Sequence, residues 1–364
     1  ALNNNKLVAV VFLDLKKAFD TVDHSILLYK LKHYGFRERI FELLSSYFNE
    51  RHQVVVMNNV SSSPQPIRTG VPQGSVLGPM LFSVYVSDLP RALKFGEMLM
   101  YADDTAIIIT GNSIEEIQAK TNVDLANLSE WFLANKLSVN VKKTKYTIFH
   151  SRSKQVDTNS FSISINNSVL EYTPYFKYLG VIFDRHLHWQ NHVLAVGAKV
   201  ASGCYKLLQA RDFFDTNTLR ILYFSFIHSH LSYCLESWGW TYDSYLEPIR
   251  KLQKRSLRII THSKLDHPSK PLFRDLQILP FDSLRQLKTA TVVNSIVRYN
   301  HPFHISLFHA SSRTTRNAVL GNFNLPPTHN VYGERRLSFI GAKIWNTLPQ
   351  EIKYARTFAS TAKT

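Results

Sequence analysis

The sequence predicts an α+β fold: an antiparallel sheet with helices on one face, followed by a mostly helical region. Three observations carry this. Val8 to Leu13 is an unbroken apolar run rich in β-branched residues, the mark of a central strand. Periodic patterns then follow in the order strand, helix, helix, hairpin, helix, strand, which fits a split βαββαβ layout. Beyond about residue 190 the pattern becomes mostly helical.

Helical periodicity runs from Ser25 to Phe48. Val54 to Met57 reads as a strand, and Ser61–Gly70 as a turn-rich segment with Pro64 and Pro66. Val76 to Leu89 is apolar and long enough for a buried helix. Glu97 to Thr110 reads as two strands hinged at Ala102-Asp103-Asp104. Ser113 is an N-cap, with Glu115 and Glu116 in the first turn of a helix that runs to about Lys136. Tyr146 to His150 and Phe161 to Ile165 alternate like strands. Ser151–Ser160 is a polar connector, and the tail from Thr357 is expected to fray. There is no internal repeat. The expected division is a first domain over 1–190 and a basic, mostly helical second one over 191–364.

A chain of 364 residues, 45% hydrophobic and 19% charged, has globular composition and can bury a sizeable core. No apolar run reaches the roughly 18 residues of a membrane span. Two cysteines, Cys204 and Cys234, cannot build a disulfide framework or a four-ligand zinc site, and a reducing, intracellular setting fits. The first residue is Ala, and the first candidate functional residue stands at position 14, so the sequence reads as a fragment of a longer protein. The net charge of +16 is uneven: residues 1–150 hold 16 Lys and Arg against 14 Asp and Glu, residues 151–364 hold 27 against 13. A near-neutral half joined to a basic half suggests chemistry in one and polyanion binding in the other. A merely basic, soluble surface accounts for the charge equally well.

Asp14 ends an apolar strand, and Asp103-Asp104 sits at the tip of a hairpin. Nucleotidyl transfer needs clustered carboxylates to hold divalent ions that neutralise the attacking and leaving oxygens. Taken alone, two adjacent Asp residues more often make an ordinary turn, and a lone Asp after a strand is similarly often a cap.

The flanking residues change those odds. Tyr101-Ala102-Asp103-Asp104 resembles the active-site hairpin of reverse transcriptases. Phe12-Leu13-Asp14-Leu15-Lys16-Lys17-Ala18-Phe19-Asp20-Thr21-Val22-Asp23-His24 resembles the first catalytic motif of non-LTR retrotransposon polymerases. Thr69-Gly70-Val71-Pro72-Gln73-Gly74-Ser75-Val76-Leu77-Gly78-Pro79 resembles their second. The likeness continues through Trp131–Phe149 and Phe176-Lys177-Tyr178-Leu179-Gly180. Ile344-Trp345-Asn346-Thr347-Leu348-Pro349 resembles the downstream region of jockey-like elements. Lys16 departs from the family's usual Ser, and Met80 and Ser87 from its Leu and Asn.

The resemblance implies a polymerase palm followed by a thumb-like region, and an RNA-directed DNA polymerase of a mobile element. Its partners would be an RNA template, a DNA primer and dNTPs, with fingers and an endonuclease domain upstream and a location in nucleus or cytoplasm. Asp14 and Asp103 would bridge two Mg²⁺ (or Mn²⁺) ions, with Asp104 in support. The backbone of Leu15, Lys16, Lys17 and Ala18 would lie beside the triphosphate. Phe19 would be the steric gate against a 2′-OH. Gly70, Gln73 and Gly74 would approach nucleotide or template, and Lys143 would neutralise or protonate the pyrophosphate, with Lys142 and Lys145 as neighbours. Tyr178, Leu179 and Gly180 would belong to a primer-gripping hairpin. Without the resemblance these read as a core aromatic, a turn, a solvated basic loop and a packing strand. A retroelement remnant that only binds RNA or DNA is the alternative.

In the basic half, Leu246, Ile249, Leu252, Leu257 and Ile260 recur at helical spacing. Arg250, Lys254 and Arg258 fall four apart, with Lys251 and Arg255 alongside. This stripe is expected either to neutralise phosphates along a primer–template or to be a solvated face. The Trp and Tyr residues of Ser232–Trp240 read as core.

Overall fold

The computed structural model describes residues 1–157, 161–299, 307–309 and 321–353. The tail from Thr357, expected to fray, lies outside the described residues. The chain divides into two compact units, Ala1–Leu179 and Gly180–Thr364, about ten residues before the division expected from the pattern.

In the first unit a five-stranded sheet holds β1 (Leu7–Leu13), β6 (Glu97–Tyr101), β7 (Asp104–Gly111), β8 (Lys145–Phe149) and β11 (Glu171–Tyr172), in the order β11-β8-β1-β7-β6. β1 is central and antiparallel to both neighbours, and all seven of its residues are buried. Burial on both faces is why this strand reads as a continuous apolar run rather than an alternating one. Leu7, Ala9, Val11 and Leu13 join a core shared with α1 (His24–His33), α3 (Leu77–Tyr85) and α4 (Ile114–Ala134). On the opposite face Phe12 stacks on Phe176 of β12 (Tyr175–Tyr178), centroids 4.1 Å apart. Only β11 joins in parallel, Tyr172 against Tyr146.

The helical run from Ser25 to Phe48 is two helices, α1 and α2 (Glu38–Phe48). Gly35, at φ 96°, ends α1 in a Schellman arrangement, with Phe36 N donating to Leu31 O and Gly35 N to Lys32 O. The strand expected at Val54–Met57 is present over Val56–Met57, as one arm of an exposed hairpin. β2 (His52–Gln53) pairs with β5 (Gln65–Pro66), and β3 (Val56–Met57) with β4 (Val60–Ser61), around Asn58-Asn59 at positive φ. Its apolar residues Val54, Val55, Val56, Met57 and Val60 are exposed. Ser113 caps α4 by accepting from Glu116 N. Fully buried Asp124 on α4 accepts from the backbone N–H groups of Lys94, Phe95 and Gly96, which fixes the entry into β6. A buried carboxylate persists when its lone pairs are filled this way. Phe161, Ile163 and Ile165 are buried alternately as predicted, though only Ser164–Ile165 forms a ladder (β9), with β10 (Ser168–Val169).

The second unit opens with β13 (Val181–Asp184) and continues through α5 (Gln190–Ala210), α6 (Thr216–Tyr223), α7 (Ser229–Ser232), α8 (Leu235–Trp238), α9 (Asp243–Ile260), α10 (Ser269–Asp275) and α11 (Phe281–Tyr299). Val200, Leu207, Tyr223, Trp238, Leu246, Ile249 and Ile260 share its main core. Trp238 is the core residue expected of its segment, whereas Tyr233 is exposed. Gln253, buried, donates to Tyr223 Oη and Leu279 O and accepts from Phe281 N, which ties three segments together. Both cysteines are free thiols, and no described helix is long and apolar enough to cross a membrane.

Buried His192 accepts from Ile182 N through Nδ1, while its Nε2 meets no partner. Burial, helped by the nearby Lys199 charge, pushes its imidazole down to about 4 from 6.5. The unfolded chain therefore binds the extra proton first, and stability falls as pH drops from about 6.5 towards 4. His192→Asn keeps an acceptor for Ile182 N. Urea unfolding followed at pH 7 and pH 4 is expected to lose roughly 3 kcal/mol less on acidification in this variant than in the native chain.

Candidate active site

The β1–β7 ladder places the acidic residues. Leu13 pairs with Thr105, so Asp14 leaves β1 beside Asp104, and Tyr101 pairs with Asp104 across the Ala102-Asp103 turn. Ala102 takes φ 53°, a left-handed conformation that costs an L side chain about 1–2 kcal/mol. Asp14 is half-buried, and Asp103 and Asp104 are exposed. The Asp104 carboxyl is pushed up from its usual range by burial first, then by the charges of Asp103 and Asp14. Asp104 thus lies within the field of both Asp103 and Asp14.

A second segment is lashed alongside. Lys16 N donates to Ser138 O (2.8 Å), Asn140 N to Asp14 O (2.7 Å) and Asp14 N to Thr144 Oγ1 (3.2 Å). These bonds carry Lys142, Lys143 and Lys145 to a cleft of about 380 Å³ that Asp14, Asp104, Thr105, Phe176 and Tyr178 also line. All three lysines reach the cleft, so the geometry does not single out Lys143. Tyr178 Oη donates to Asp104 O at 3.3 Å. Leu179 and Gly180 follow it at positive φ, the backbone of a tight turn.

The second motif lies against the first. Gly70 N donates to Val22 O and Val71 N to Phe19 O, both at 2.8 Å, and Gln73 Nε2 donates to Asp20 Oδ1 at 2.8 Å. Gly70 needs its hydrogen: at φ 90° an added Cβ would sit 3.0 Å from Asp20 O. Gly74 is open, with nothing within 4 Å of such a Cβ. Phe19, half-buried, packs its ring on Phe82 at 4.7 Å. Leu15 is half-buried, Lys16 and Lys17 are exposed, and Ala18 is buried. Sequence reasoning passed over Thr144, Asn140, Asp20 and His24 as contributors. The signal was their place inside the quoted motifs.

The donor set is all carboxylate oxygen, and burial followed by the charges of Asp103 and Asp14 raises Asp104, so a hard divalent cation suits it chemically. As the side chains stand, no group of three or more His, Cys, Asp or Glu among the described residues is gathered tightly enough to hold a metal. The site fits a cation by chemistry and by the meeting of strand ends, not as a finished cage.

The basic stripe requires a correction. Arg250 is held by Asp282 through two bonds at 2.9 Å and by Asp243 at 2.5 Å, with Glu247 at 3.6 Å. Its side chain is 15% exposed, so it is an internal tie and not a phosphate contact. Its Asp282 partner lies on another helix and is invisible to a periodicity argument, whereas Asp243 and Glu247 share α9 with it. Lys251 and Arg255 are exposed, Lys254 is half-buried, and half-buried Arg258 donates to His267 O.

A family profile described as "Reverse transcriptase (RNA-dependent DNA polymerase)" matches residues 1–183. The chain is 32% identical to "RNA-directed DNA polymerase from mobile element jockey" of Drosophila funebris, over 72% of this chain and 29% of that relative. It is 30% identical to the protein of the same description from Drosophila melanogaster, over 81% of this chain and 35% of that one. It therefore spans about a third of the length of these curated relatives. Among solved structures it is similar to telomerase from Candida albicans in complex with a fragment of telomeric RNA. The TM-score is 0.41 and the identity 11%, over 75% of this chain and 51% of that one.

Arg250→Gln is expected to lower the unfolding free energy by about 2 kcal/mol, because charge-assisted bonds to Asp282 and Asp243 are lost. It should leave the affinity for an RNA–DNA duplex unchanged. Chemical denaturation and a binding titration check the two halves of that statement.

Proposed function

This chain belongs to the reverse transcriptase (RNA-dependent DNA polymerase) family, and we propose that it is the palm and thumb of an RNA-directed DNA polymerase encoded by a mobile element. The observation that supports this reading is the placing of Asp14 and Asp104 at the end of one buried ladder, with Asp103 in the adjoining turn and Asp104 feeling the charges of both.

The reaction joins the primer 3′-oxygen to the α-phosphorus of a dNTP and breaks the α–β anhydride bond. Pyrophosphate leaves, and the hydroxyl proton passes to solvent. Two Mg²⁺ ions, replaceable by Mn²⁺, would be held by Asp14, Asp103 and Asp104 and would supply charge neutralisation and alignment for that displacement.

The chain's own residues do the rest. The backbone from Leu15 to Ala18 lies beside the triphosphate. The ammonium groups of Lys142, Lys143 and Lys145 offset phosphate charge, with Lys143 the group that neutralises or protonates the leaving pyrophosphate. Phe19 bears on the sugar and disfavours a 2′-OH, and its packing on Phe82 holds the ring in place. Gly70 and Gly74 admit close approach of a nucleotide or template base, and Gln73 hydrogen-bonds there. Tyr178, Leu179 and Gly180 support the primer end, and the tyrosine is already bonded to the Asp104 backbone. In the second unit Lys251 and Arg255, with Lys254 and Arg258 beside them, contact the phosphates of the primer–template.

Extension of a DNA primer on an RNA template in Mg²⁺ tests the reading. Asp103→Asn is expected to reduce the rate on the order of a thousandfold or more. Extension equal to that of the native chain would sink the assignment. The double variant Lys251→Gln/Arg255→Gln should weaken duplex binding and make the slope of log affinity against log salt shallower by about 2. An unchanged slope removes those two residues from the interface.

A further inference from the structure

We propose that His24 is a positioning residue: it locks one peptide plane at the base of the Gly70–Gly74 loop and so sets where Gln73 and Gly74 stand. The inference rests on the polymerase reading for its consequence, but its geometry is independent of it.

His24 is the first residue of α1 and is buried. Asp23 fixes that end of the helix twice over, accepting from Ile26 N at 3.0 Å and from Lys136 Nζ at 2.7 Å. The imidazole packs on Phe48, centroids 4.5 Å apart, which limits its rotation. Its Nε2 lies 2.7 Å from Gly70 O. A carbonyl oxygen only accepts, so Nε2 carries the hydrogen.

Gly70 C=O and Val71 N–H belong to the same rigid peptide plane. His24 holds the oxygen on one side, and Phe19 O holds the N–H on the other. The plane needs both holds, because Gly70 has no Cβ to restrict it and sits at φ 90°. From Val71 onward the loop has few anchors. Gln73 reaches Asp20, Ser75 Oγ donates to Pro72 O, and a Cβ added at Gly74 would meet nothing within 4 Å. The orientation of that single plane therefore determines the direction in which Gln73-Gly74 leaves the first motif. His24 contacts no reacting group and acts through the loop.

The test measures dNTP KM and kcat separately for the native chain, His24→Ala and His24→Gln. It also measures amide hydrogen exchange across residues 69–75. His24→Ala is expected to raise KM roughly tenfold, the range one lost hydrogen bond supports, with kcat little changed. His24→Gln, whose amide Nε2 can donate from the same place, restores KM. In His24→Ala, exchange rises across 69–75 and not across α1 and α2. A KM unchanged by His24→Ala in an active enzyme overturns the proposal. So does unchanged protection of the loop, or loss of protection spread over both helices, which would make His24 an ordinary core residue. If the native chain does not extend primers, the polymerase reading fails on its own, and the exchange pattern still decides the lock.

Discussion

Three negative charges are held together here by the place where a ladder ends. The pairing of Leu13 with Thr105 sets Asp14 beside Asp104, and the register is enforced by seven buried residues of β1. A slip of one residue would turn Leu7, Ala9, Val11 and Leu13 out of the core they share with α1, α3 and α4. Hydrophobic burial thus holds in place an Asp104 carboxyl that is raised by desolvation first and by the charges of Asp103 and Asp14 second. Everything around the cleft depends on this anchor. The lysine-bearing segment is bonded to Asp14 and Lys16, and Tyr178 is bonded to the Asp104 backbone.

Much of this was legible because it depends on local pattern. A continuous apolar run can only be a strand covered on both faces, and β1 is that. Ser113 announces α4, and the split βαββαβ order is reproduced by β1, β6, β7 and β8 with helices between. What local pattern leaves out is the surroundings that the fold supplies. Val56–Met57 is a strand, but its apolar side chains are exposed, which strand composition alone does not foretell. Arg250 falls on the cationic stripe of α9 by spacing, yet Asp282, 32 residues later, takes its guanidinium. Periodicity reports which face a side chain occupies and is silent about what waits there. The acidic trio was named from motifs, but the field at Asp104 needed the register of two strands 90 residues apart.

The surface charge of the second unit divides in the same way. Arg250 and Arg285 are half-buried and paired with Asp282 and Asp243, with Arg285 also lying over the Trp240 ring at 4.5 Å. Surface ion pairs of ordinary exposure contribute little, but these arginines are only 15% exposed, so removing their carboxylate partners would leave a poorly solvated cation. The net excess of cation over this half must therefore be expressed through other residues, among them Lys251 and Arg255. A count of basic residues overstates an interface whenever some of them are internal ties.

Most bonds that join the first motif to its neighbours are made by the main chain. Lys16 N to Ser138 O, Asn140 N to Asp14 O, Gly70 N to Val22 O and Val71 N to Phe19 O need no particular side chain. Lys16 illustrates the consequence: it stands where related polymerases commonly have Ser, and its side chain is exposed while its N–H does the joining. Main-chain bonding leaves few positions at which side-chain chemistry is compulsory. In the proposed polymerase they are the three carboxylates, a glycine whose Cβ would meet Asp20, and the histidine proposed to hold the glycine carbonyl. The last two act as a pair. The glycine permits a backbone path that no other residue takes without strain, and the histidine removes the freedom that the glycine introduces.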